Sequence, residues 1–325
     1  MMQDAINNFP KQFAWTPKIV NKDKFKKHKQ FILLGMGGSH LAADLILAYD
    51  PAINLKIHSD YSLPKISEKE LQKSLIIASS YSGNTEEVID GLETALEKNL
   101  AVAVIAVGGK LLAIAKEKNL PYVQIPDTGI QPRAALGYSA QAILKLIGAR
   151  EALKETKSLK KNLRPGDFEQ AGRELAEKLN GRVPVIYAAA RNRAVAMNWK
   201  IIFNETGKIP AFYNVAPELN HNEMTGFDVK GATKNLSEKF YFIFLRDSAD
   251  EPRNLKRLEI LQKLYQDRGL TVEIIELTGE NFWQKAFRSL LLADWAAVYL
   301  AQGYGMDPEQ VPMVEEFKRE VRSMK

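Results

Sequence analysis

The sequence predicts two doubly wound, parallel α/β domains in tandem. Short runs rich in apolar and β-branched residues alternate with longer segments of helical periodicity, which is typical of a parallel sheet covered by helices. The alternation starts again near the middle of the chain, and 325 residues is the length of two ordinary domains. We therefore expect a first domain over residues 1–150 and a second over residues 151–325.

The first half contains five strand candidates and four helix candidates. The strands are predicted at residues 31–34, 54–58, 75–78, 101–107 and 122–125, and the helices at residues 40–49, 84–98, 111–118 and 134–147. The charged stretch 150–167, with Arg164-Pro165-Gly166 near its end, is interpreted as a linker or crossover.

The second half repeats this alternation. Strands are predicted at residues 183–189, 211–215, 241–245 and 271–276, and helices at residues 193–205, 253–268 and 281–301. A last amphipathic helix is predicted over residues 308–321, with Asp307 as N-cap and Pro308 in the first turn. The first turns of the two halves align, but Ala188-Ala189-Ala190-Arg191 replaces the glycines and serine of the first copy. Only the first domain is therefore expected to hold a phosphate group through this turn.

The composition is that of a soluble globular protein, with 46% hydrophobic and 26% charged residues. No apolar stretch approaches the roughly 20 residues that a membrane-spanning helix needs, and the amino terminus carries no secretory pattern. The sequence contains no cysteine, which excludes disulfides and thiolate metal sites. We expect a cytoplasmic protein without a membrane partner.

The net charge of +6 is concentrated in one segment. Six lysines between residues 18 and 29 and a single aspartate contribute +5, and the rest of the chain is close to neutral. Nucleic-acid-binding proteins usually carry a basic stripe along an element, so we expect no nucleic-acid partner. The lysine cluster is interpreted as a solvated segment that adds modest steering of anionic substrates.

Two turns after predicted strands carry residue types that suit a phosphate group. Residues 35–39 (Gly-Met-Gly-Gly-Ser) follow the first strand and open a helix, where glycines let the backbone approach a ligand and free N–H groups attract an anion. A dinucleotide-binding turn would place a third glycine at His40, although Asp60 keeps that alternative open, as does a bare tight turn.

The second turn, residues 79–87, presents several hydroxyl groups around a glycine. Ser80, Ser82 and Thr85 are neutral donors, which suit a phosphate monoester that brings its own charge. The alternative is a helix capping box with Asn84 as N-cap and Glu87 at N3. The capping box leaves the clustered serines unexplained.

Gly-Gly-Ser after one strand and Ser-x-Ser-Gly-Asn-Thr after another resemble the sugar isomerase (SIS) domain, which is flavodoxin-like. The resemblance implies two SIS domains in tandem, with the first domain wrapping the phosphate of a phosphosugar. The phosphate-binding residues that it implies are Gly37, Gly38, Ser39, Ser80, Ser82 and Thr85.

Two segments of the second half resemble the bifunctional phosphoglucose/phosphomannose isomerases more specifically. They are residues 204–212 (Asn-Glu-Thr-Gly-Lys-Ile-Pro-Ala-Phe) and residues 217–223 (Pro-Glu-Leu-Asn-His-Asn-Glu). The resemblance implies Glu205 as the base that moves a proton between C1 and C2, and His221 as the acid–base group that opens the sugar ring. Glu218 and Glu223 compete for the base role, and Glu218 is also a candidate to orient the imidazole.

Two cationic residues complete the implied site. Arg133, in Gln-Pro-Arg-Ala-Ala-Leu, resembles the arginine that faces the enediolate oxygen, and Lys318 resembles the lysine that assists ring opening. Each has a simpler alternative, because Arg133 could cap a carbonyl and Lys318 could be an ordinary surface lysine.

The implied enzyme is a homodimer that interconverts fructose 6-phosphate with glucose 6-phosphate and mannose 6-phosphate, with sites shared between subunits. We expect no metal and no cofactor, because the enediol route needs none and the histidines lack metal-ligand spacing. The alternatives are an isomerase of the hexosamine-phosphate synthase type, which would normally add a glutaminase domain, and a non-catalytic phosphosugar-binding SIS protein.

Overall fold

The computed structural model describes residues 1–323 and divides the chain into two compact units. One unit consists of Asn7–Arg164 together with Glu280–Gln284, and it is called the first SIS unit below. The other consists of Met1–Ile6, Pro165–Gly279 and the chain from Lys285 onward, and it is called the second SIS unit.

The first SIS unit is built on five parallel strands. They are β1 (Gln30–Leu34), β2 (Leu55–His58), β3 (Ser74–Ser79), β4 (Val102–Ala106) and β5 (Tyr122–Gln124). The strand order is β2-β1-β3-β4-β5, which is the doubly wound order with its reversal, the switch point, between β1 and β3. The continuous burial of β1, β3 and β4 reflects a sheet that helices cover on both faces.

Helices cover this sheet. The helices of this unit are α2 (Gly38–Tyr49), α3 (Glu68–Lys73), α4 (Glu86–Glu97), α5 (Gly109–Glu117), α6 (Leu136–Ile147) and α7 (Arg150–Asn162). Helix α1 (Met2–Asn8) lies mostly in the second SIS unit, to which Met1–Ile6 belong. Apolar side chains of α3, α4 and α5 form one core with β1, β3 and β4. Helices α2 and α6 pack on each other and against the sheet.

The stretch that the sequence left as a linker or crossover is helical from Arg150 to Asn162. Ala152, Thr156 and Leu159 are buried on one face of α7, at the i, i+4 and i+7 spacing of a helix. Charged residues around this narrow apolar stripe obscured it in the sequence.

The second SIS unit is built on four parallel strands: β6 (Val183–Ala189), β7 (Phe212–Ala216), β8 (Phe240–Arg246) and β9 (Thr271–Glu276). Their order is β7-β6-β8-β9, so the switch point lies between β6 and β8. The helices that follow Asn162 are α8 (Glu169–Leu179), α9 (Arg193–Glu205), α10 (Glu223–Gly226), α11 (Lys234–Ser237), α12 (Pro252–Gln266), α13 (Phe282–Gly303) and α14 (Pro312–Ser323).

The predicted fold class is confirmed, since both sheets are parallel and doubly wound. The predicted start of the last helix is wrong. The Asp307 side chain accepts a hydrogen bond from the Glu309 amide (2.8 Å) and closes a turn, and α14 begins at Pro312. Proline suits the first turn of a helix at either position, so the sequence alone favoured the earlier one.

Residues 312–320 of helix α14 are exposed, including the apolar side chains of Met313 and Phe317. Its charged face carries Glu315, which pairs with Lys318. Over residues 1–323, none of the helices combines the length and apolar character that crossing a bilayer requires.

Candidate active site

The two turns with phosphate-binding character lie side by side at the switch point of the first sheet. Leu34 and Ala78 are neighbours in the parallel register of β1 and β3, so the turns that follow them leave the same edge of the sheet. Ligands of doubly wound domains bind at this position, outside the carboxyl ends of the strands.

Glycines in the first turn permit close approach of another segment. Gly37 has a φ of +49° and is exposed, and α2 begins at the next residue. A Cβ atom on Gly38 would lie 3.0 Å from the Pro132 carbonyl and 3.1 Å from the Arg133 amide nitrogen. Gly38 therefore lets the backbone that carries Arg133 pack against the start of α2.

Ser39 joins the two turns. Its hydroxyl accepts a hydrogen bond from the Tyr81 amide (3.0 Å), and its carbonyl accepts one from the Ser79 hydroxyl (3.2 Å). Ser39 is buried. The hydrogen bond from the Tyr81 amide uses only a lone pair of the Ser39 hydroxyl oxygen, so the hydroxyl proton can still be donated.

The hydroxyl groups of the second turn differ in exposure. Ser80 is fully buried; its hydroxyl accepts a hydrogen bond from the Gly83 amide (3.1 Å) and pairs with the Thr85 hydroxyl (2.8 Å). Ser82 is exposed and Thr85 is half-buried. This arrangement favours Ser80 as the residue that shapes the turn, and Ser82 and Thr85 as the residues that face a ligand.

A third turn, which the sequence analysis did not single out, supports the second. The Asn84 side chain accepts a hydrogen bond from the Lys110 amide (3.0 Å), and α4 begins after Thr85, so the capping box with Asn84 as N-cap is not formed. A Cβ atom on Gly83 would lie 1.8 Å from the Gly108 carbonyl oxygen. The pair Gly108-Gly109 directly after a predicted strand was the available signal.

Arg133 lies in a short helical turn, Pro132–Ala134, that contacts α2. The turn is held from the other side by Gln12, whose side-chain amide donates to the Ala134 carbonyl (2.7 Å). Arg133 is buried although it carries a charge, which is uncommon for arginine. The first SIS unit thus brings Arg133 to the edge that also carries the two predicted phosphate-binding turns.

In the second SIS unit, Glu205 and His221 lie at opposite ends of the strands: Glu205 near the amino ends and His221 near the carboxyl ends. Glu205 is the last residue of α9, which packs on β6 and β7 and returns toward the amino end of β7. His221 is exposed and follows the carboxyl end of β7. The five residues of β7 span roughly 16 Å at about 3.3 Å per residue.

The two rival carboxylates are occupied by other groups. Glu218 accepts a hydrogen bond from the Asn222 side chain (2.8 Å), and its role in orienting the imidazole stays a prediction. Glu223 accepts one from the Tyr187 hydroxyl (2.6 Å) and another from the Asn214 side chain. Both carboxylates are therefore hydrogen-bonded within the second SIS unit, and the assignment of the base to Glu205 stays a prediction.

Lys318 is exposed on α14, where its ammonium group donates to Glu315 (2.9 Å). Among the described residues, no group of three or more histidine, aspartate or glutamate side chains is arranged to hold a metal ion.

Comparison with known proteins relates both halves of the chain to phosphosugar isomerases. Residues 168–321 match the family model "Bacterial phospho-glucose isomerase C-terminal SIS domain". The bifunctional phosphoglucose/phosphomannose isomerase of Aquifex aeolicus (strain VF5) is 31% identical over 327 residues, covering 98% of this chain and 97% of the relative. The chain belongs to the bifunctional phosphoglucose/phosphomannose isomerase family. The member from Caldicellulosiruptor bescii is 30% identical and is matched over the full length of both chains.

Solved structures agree with the tandem SIS fold of this family. A glucosamine-6-phosphate deaminase from Thermotoga maritima has a TM-score of 0.65 at 17% identity, covering 96% of both chains. The C-terminal domain of a glucosamine-fructose-6-phosphate aminotransferase from Francisella tularensis has a TM-score of 0.70 at 14% identity, covering 95% of this chain and 98% of that one. At these identities the likeness shows the fold alone.

The second SIS unit has its own switch point between β6 and β8, and side chains bonded to one another fill the turns there. The Asn192 side chain donates to Asp250 (2.8 Å), Arg191 donates to the Ala249 carbonyl (2.8 Å), and Lys285 pairs with Asp247 (2.5 Å). Two buried carboxylates therefore occupy the positions that serine and glycine hold in the first unit.

The pKa values of the two carboxylates are shifted in opposite directions. Burial and the charge of Asp247 raise the pKa of Asp250 to about 6. Burial also pushes the pKa of Asp247 upward, but hydrogen bonds from Lys285 and the Ala249 amide, with the charge of Lys285, outweigh it and hold that pKa below its usual value. An edge that already contains buried negative charge is unsuited to a phosphate group.

Proposed function

We propose that the protein is an aldose–ketose isomerase that interconverts fructose 6-phosphate with glucose 6-phosphate and with mannose 6-phosphate. The observation that carries the proposal is the relationship to bifunctional phosphoglucose/phosphomannose isomerases over 97–98% of both chains. The glycine and hydroxyl turns at the first switch point are consistent with a sugar that carries a phosphate.

The phosphate group binds at the first switch point. Ser82 and Thr85 donate hydroxyl hydrogen bonds from the mouth of the turn, and the backbone at Gly37 and Gly38 approaches the phosphate at the start of α2. Ser39 donates its hydroxyl proton while it holds the two turns together. Ser80 keeps Thr85 in position.

The second SIS unit supplies the base for proton transfer, and the first supplies Arg133. Glu205 removes the proton from one of the carbons C1 and C2 and returns it to the other, and the guanidinium of Arg133 stabilises the enediolate oxygen. His221 and Lys318 open the sugar ring by exchanging protons with its oxygens. The planar enediol loses the configuration at C2, so return of the proton to either face yields glucose 6-phosphate or mannose 6-phosphate.

The separation of Glu205 and His221 favours a homodimer with shared sites. These residues lie at opposite ends of the strands of one sheet, about the length of β7 apart. One Glu205 and one His221 can act on the same sugar when the histidine comes from the partner subunit. The enzyme works in the cytoplasm and needs no cofactor for this route.

A coupled assay for fructose 6-phosphate tests the proposed function directly. We expect the purified protein to convert both glucose 6-phosphate and mannose 6-phosphate, and in D₂O to leave solvent deuterium on C1 of the ketose, because the base exchanges with solvent. Failure on both substrates would overturn the proposal. Glucosamine 6-phosphate should be assayed in parallel, because a D-glucosamine-6-phosphate 4-epimerase of Sulfolobus acidocaldarius is 28% identical over 61% of this chain.

A further inference from the structure

Lys208 adopts a backbone conformation that lysine rarely accepts. Its φ is +60°. Among the described residues, the other non-glycine residues with positive φ are Asn21, Ser62, Asn99 and Asn119. Asparagine tolerates this region because its short side chain can bond locally, whereas a long side chain gains no such compensation. A lysine in this conformation is held there by its surroundings.

The Lys208 ammonium group connects two backbone segments of the second SIS unit. It donates one hydrogen bond to the Glu205 carbonyl (2.6 Å) and another to the Gln310 carbonyl. Glu205 ends α9, where carbonyl groups lack helical partners and carry partial negative charge. Gln310 lies two residues before α14 begins.

The turn between α9 and β7 aims Lys208 back at the helix end. The amides of Thr206 and Gly207 both donate to the Ile202 carbonyl (2.8 and 3.1 Å), and the Asn204 side chain donates to the Ile209 carbonyl (3.0 Å). A Cβ atom on Gly207 would lie 2.8 Å from the Phe203 carbonyl oxygen. Only glycine fits so close to the helix, and the residue after it is forced to reverse direction.

Residues 312–320 of helix α14 are exposed, so the segment at its amino end has a large influence on the direction of the helix. A helix of 12 residues behaves as a short rod, so a shift at Gln310 is carried along to Lys318. Because the Lys208 ammonium group donates a hydrogen bond to the Gln310 carbonyl, it influences the position of Lys318 relative to the end of α9.

We propose that Lys208 is a positioning residue that fastens the segment leading into α14 to the end of α9, and thereby sets the placement of Lys318 and Glu205 together. This inference rests on the proposed function, in which Lys318 and Glu205 act on the same class of sugar phosphate. Lys208 acts through two backbone carbonyls and needs no contact with the substrate.

The first test is a double-mutant cycle on the full chain. Lys208→Met should lower kcat roughly tenfold, the scale of a lost charge-assisted hydrogen bond, with little change in KM because the phosphate turns lie in the first SIS unit. In a Lys318→Met background, Lys208→Met should lower kcat by a clearly smaller factor, because the ammonium group that Lys208 positions is absent. The matched control is Lys263→Met, at an exposed lysine of α12, which should leave both constants unchanged.

The second test does not depend on activity. Amide hydrogen exchange over residues 305–314 should be faster in Lys208→Met and in Lys208→Gly, the latter relieving the positive φ while it also removes the ammonium group. Unchanged exchange in both variants, or kcat losses that multiply without coupling to Lys318, would overturn the positioning role. If the wild-type chain isomerises neither substrate, the proposed function fails, and the exchange measurement still decides whether Lys208 holds this segment.

Discussion

The switch points of the two sheets have the same strand winding and opposite chemistry. In the first, glycines and serines after β1 and β3 leave an edge with an exposed hydroxyl at Ser82. In the second, Asp247 and Asp250 after β8 are buried and bonded to cationic and amide side chains after β6 and on α13. Equal topology thus supplies equal positions, and the residue types at those positions decide whether a phosphate can enter.

This difference suggests a division of labour between the units. In the proposed function, the first unit binds the phosphate and contributes Arg133, and the second contributes Glu205, His221 and Lys318. Glu205 lies at the amino edge of its sheet, away from the closed switch point.

The largest effect should come from the base. Glu205→Gln keeps the shape of the side chain and removes its basicity, so kcat should fall by about 10²–10⁴-fold while KM stays within a few-fold of wild type. Steady-state kinetics on both substrates measures this. Glu223→Gln is a useful comparison, because that carboxylate accepts from Tyr187 and Asn214 and should affect folding stability more than chemistry. Near-normal turnover in Glu205→Gln would transfer the base role to another carboxylate.

The closed switch point should make stability depend on pH. The folded pKa of Asp250, about 6, lies above its ordinary value of 3.8, so the folded state binds this proton more tightly than the unfolded state. Its contribution is fully present below about pH 4 and is lost as the pH rises through 6, amounting to up to about 3 kcal/mol, or roughly a hundredfold in the unfolding constant.

Urea denaturation between pH 4 and 7 measures this slope. In Asp250→Asn the decline in the free energy of unfolding over that range should be smaller than in the wild type. Asp267→Asn, at an exposed position of the same unit, should retain the wild-type slope. If Asp250→Asn also retains the wild-type slope, a group other than Asp250 causes the pH dependence of the free energy of unfolding.

Removing the exposed hydroxyls of the open switch point should weaken substrate binding. The double variant Ser82→Ala and Thr85→Ala loses two donors to the phosphate, and we expect KM to rise about tenfold or more with kcat changed less. Ser248→Ala is the control, since that exposed serine lies in the corresponding turn of the second unit, directly after β8. Equal increases in KM for both would remove the functional distinction between the two edges.

Subunit mixing should give the smallest signal and the sharpest view of assembly. Glu205→Ala and His221→Ala homodimers should each be nearly inactive, because every site lacks one group. A mixed dimer with shared sites has one intact site and one that lacks both groups. Random 1:1 mixing makes about half of the dimers mixed, so activity should recover to about a quarter of wild type. Absence of recovery, with exchange confirmed by mass spectrometry, would show that each site is built within one chain.

Much of the fold could be predicted because its signals are local. Strands β6 and β9 and helix α9 have the predicted bounds, and the bounds of the other strands differ by one or two residues. Hydrophobic periodicity and glycine position are properties of short segments, so they can be recognised without knowing which residues are neighbours in space. Helix α7 was not predicted because its buried face consists of only three residues among many charged ones.

The candidate site was less accessible to such reasoning. The spacing offered a helix N-cap as the alternative role of Asn84, whereas in the structure its side chain accepts a hydrogen bond from the amide of Lys110, 26 residues away. Ser80 and Ser82 are equivalent in sequence, yet one is fully buried and the other exposed. These outcomes depend on which turns meet at one edge of the sheet.

The sequence by itself determined the tandem α/β fold and the family, and it predicted phosphate binding by the first domain, because each of these depends on residue types within a few positions of one another. Only the tertiary structure decided that Glu205 and His221 lie at opposite ends of the strands of a sheet, that Glu223 is held by Tyr187, and that Lys208 joins α9 to the approach to α14. Those relations join residues that the chain path separates, and they follow from strand order and packing, which no local pattern contains.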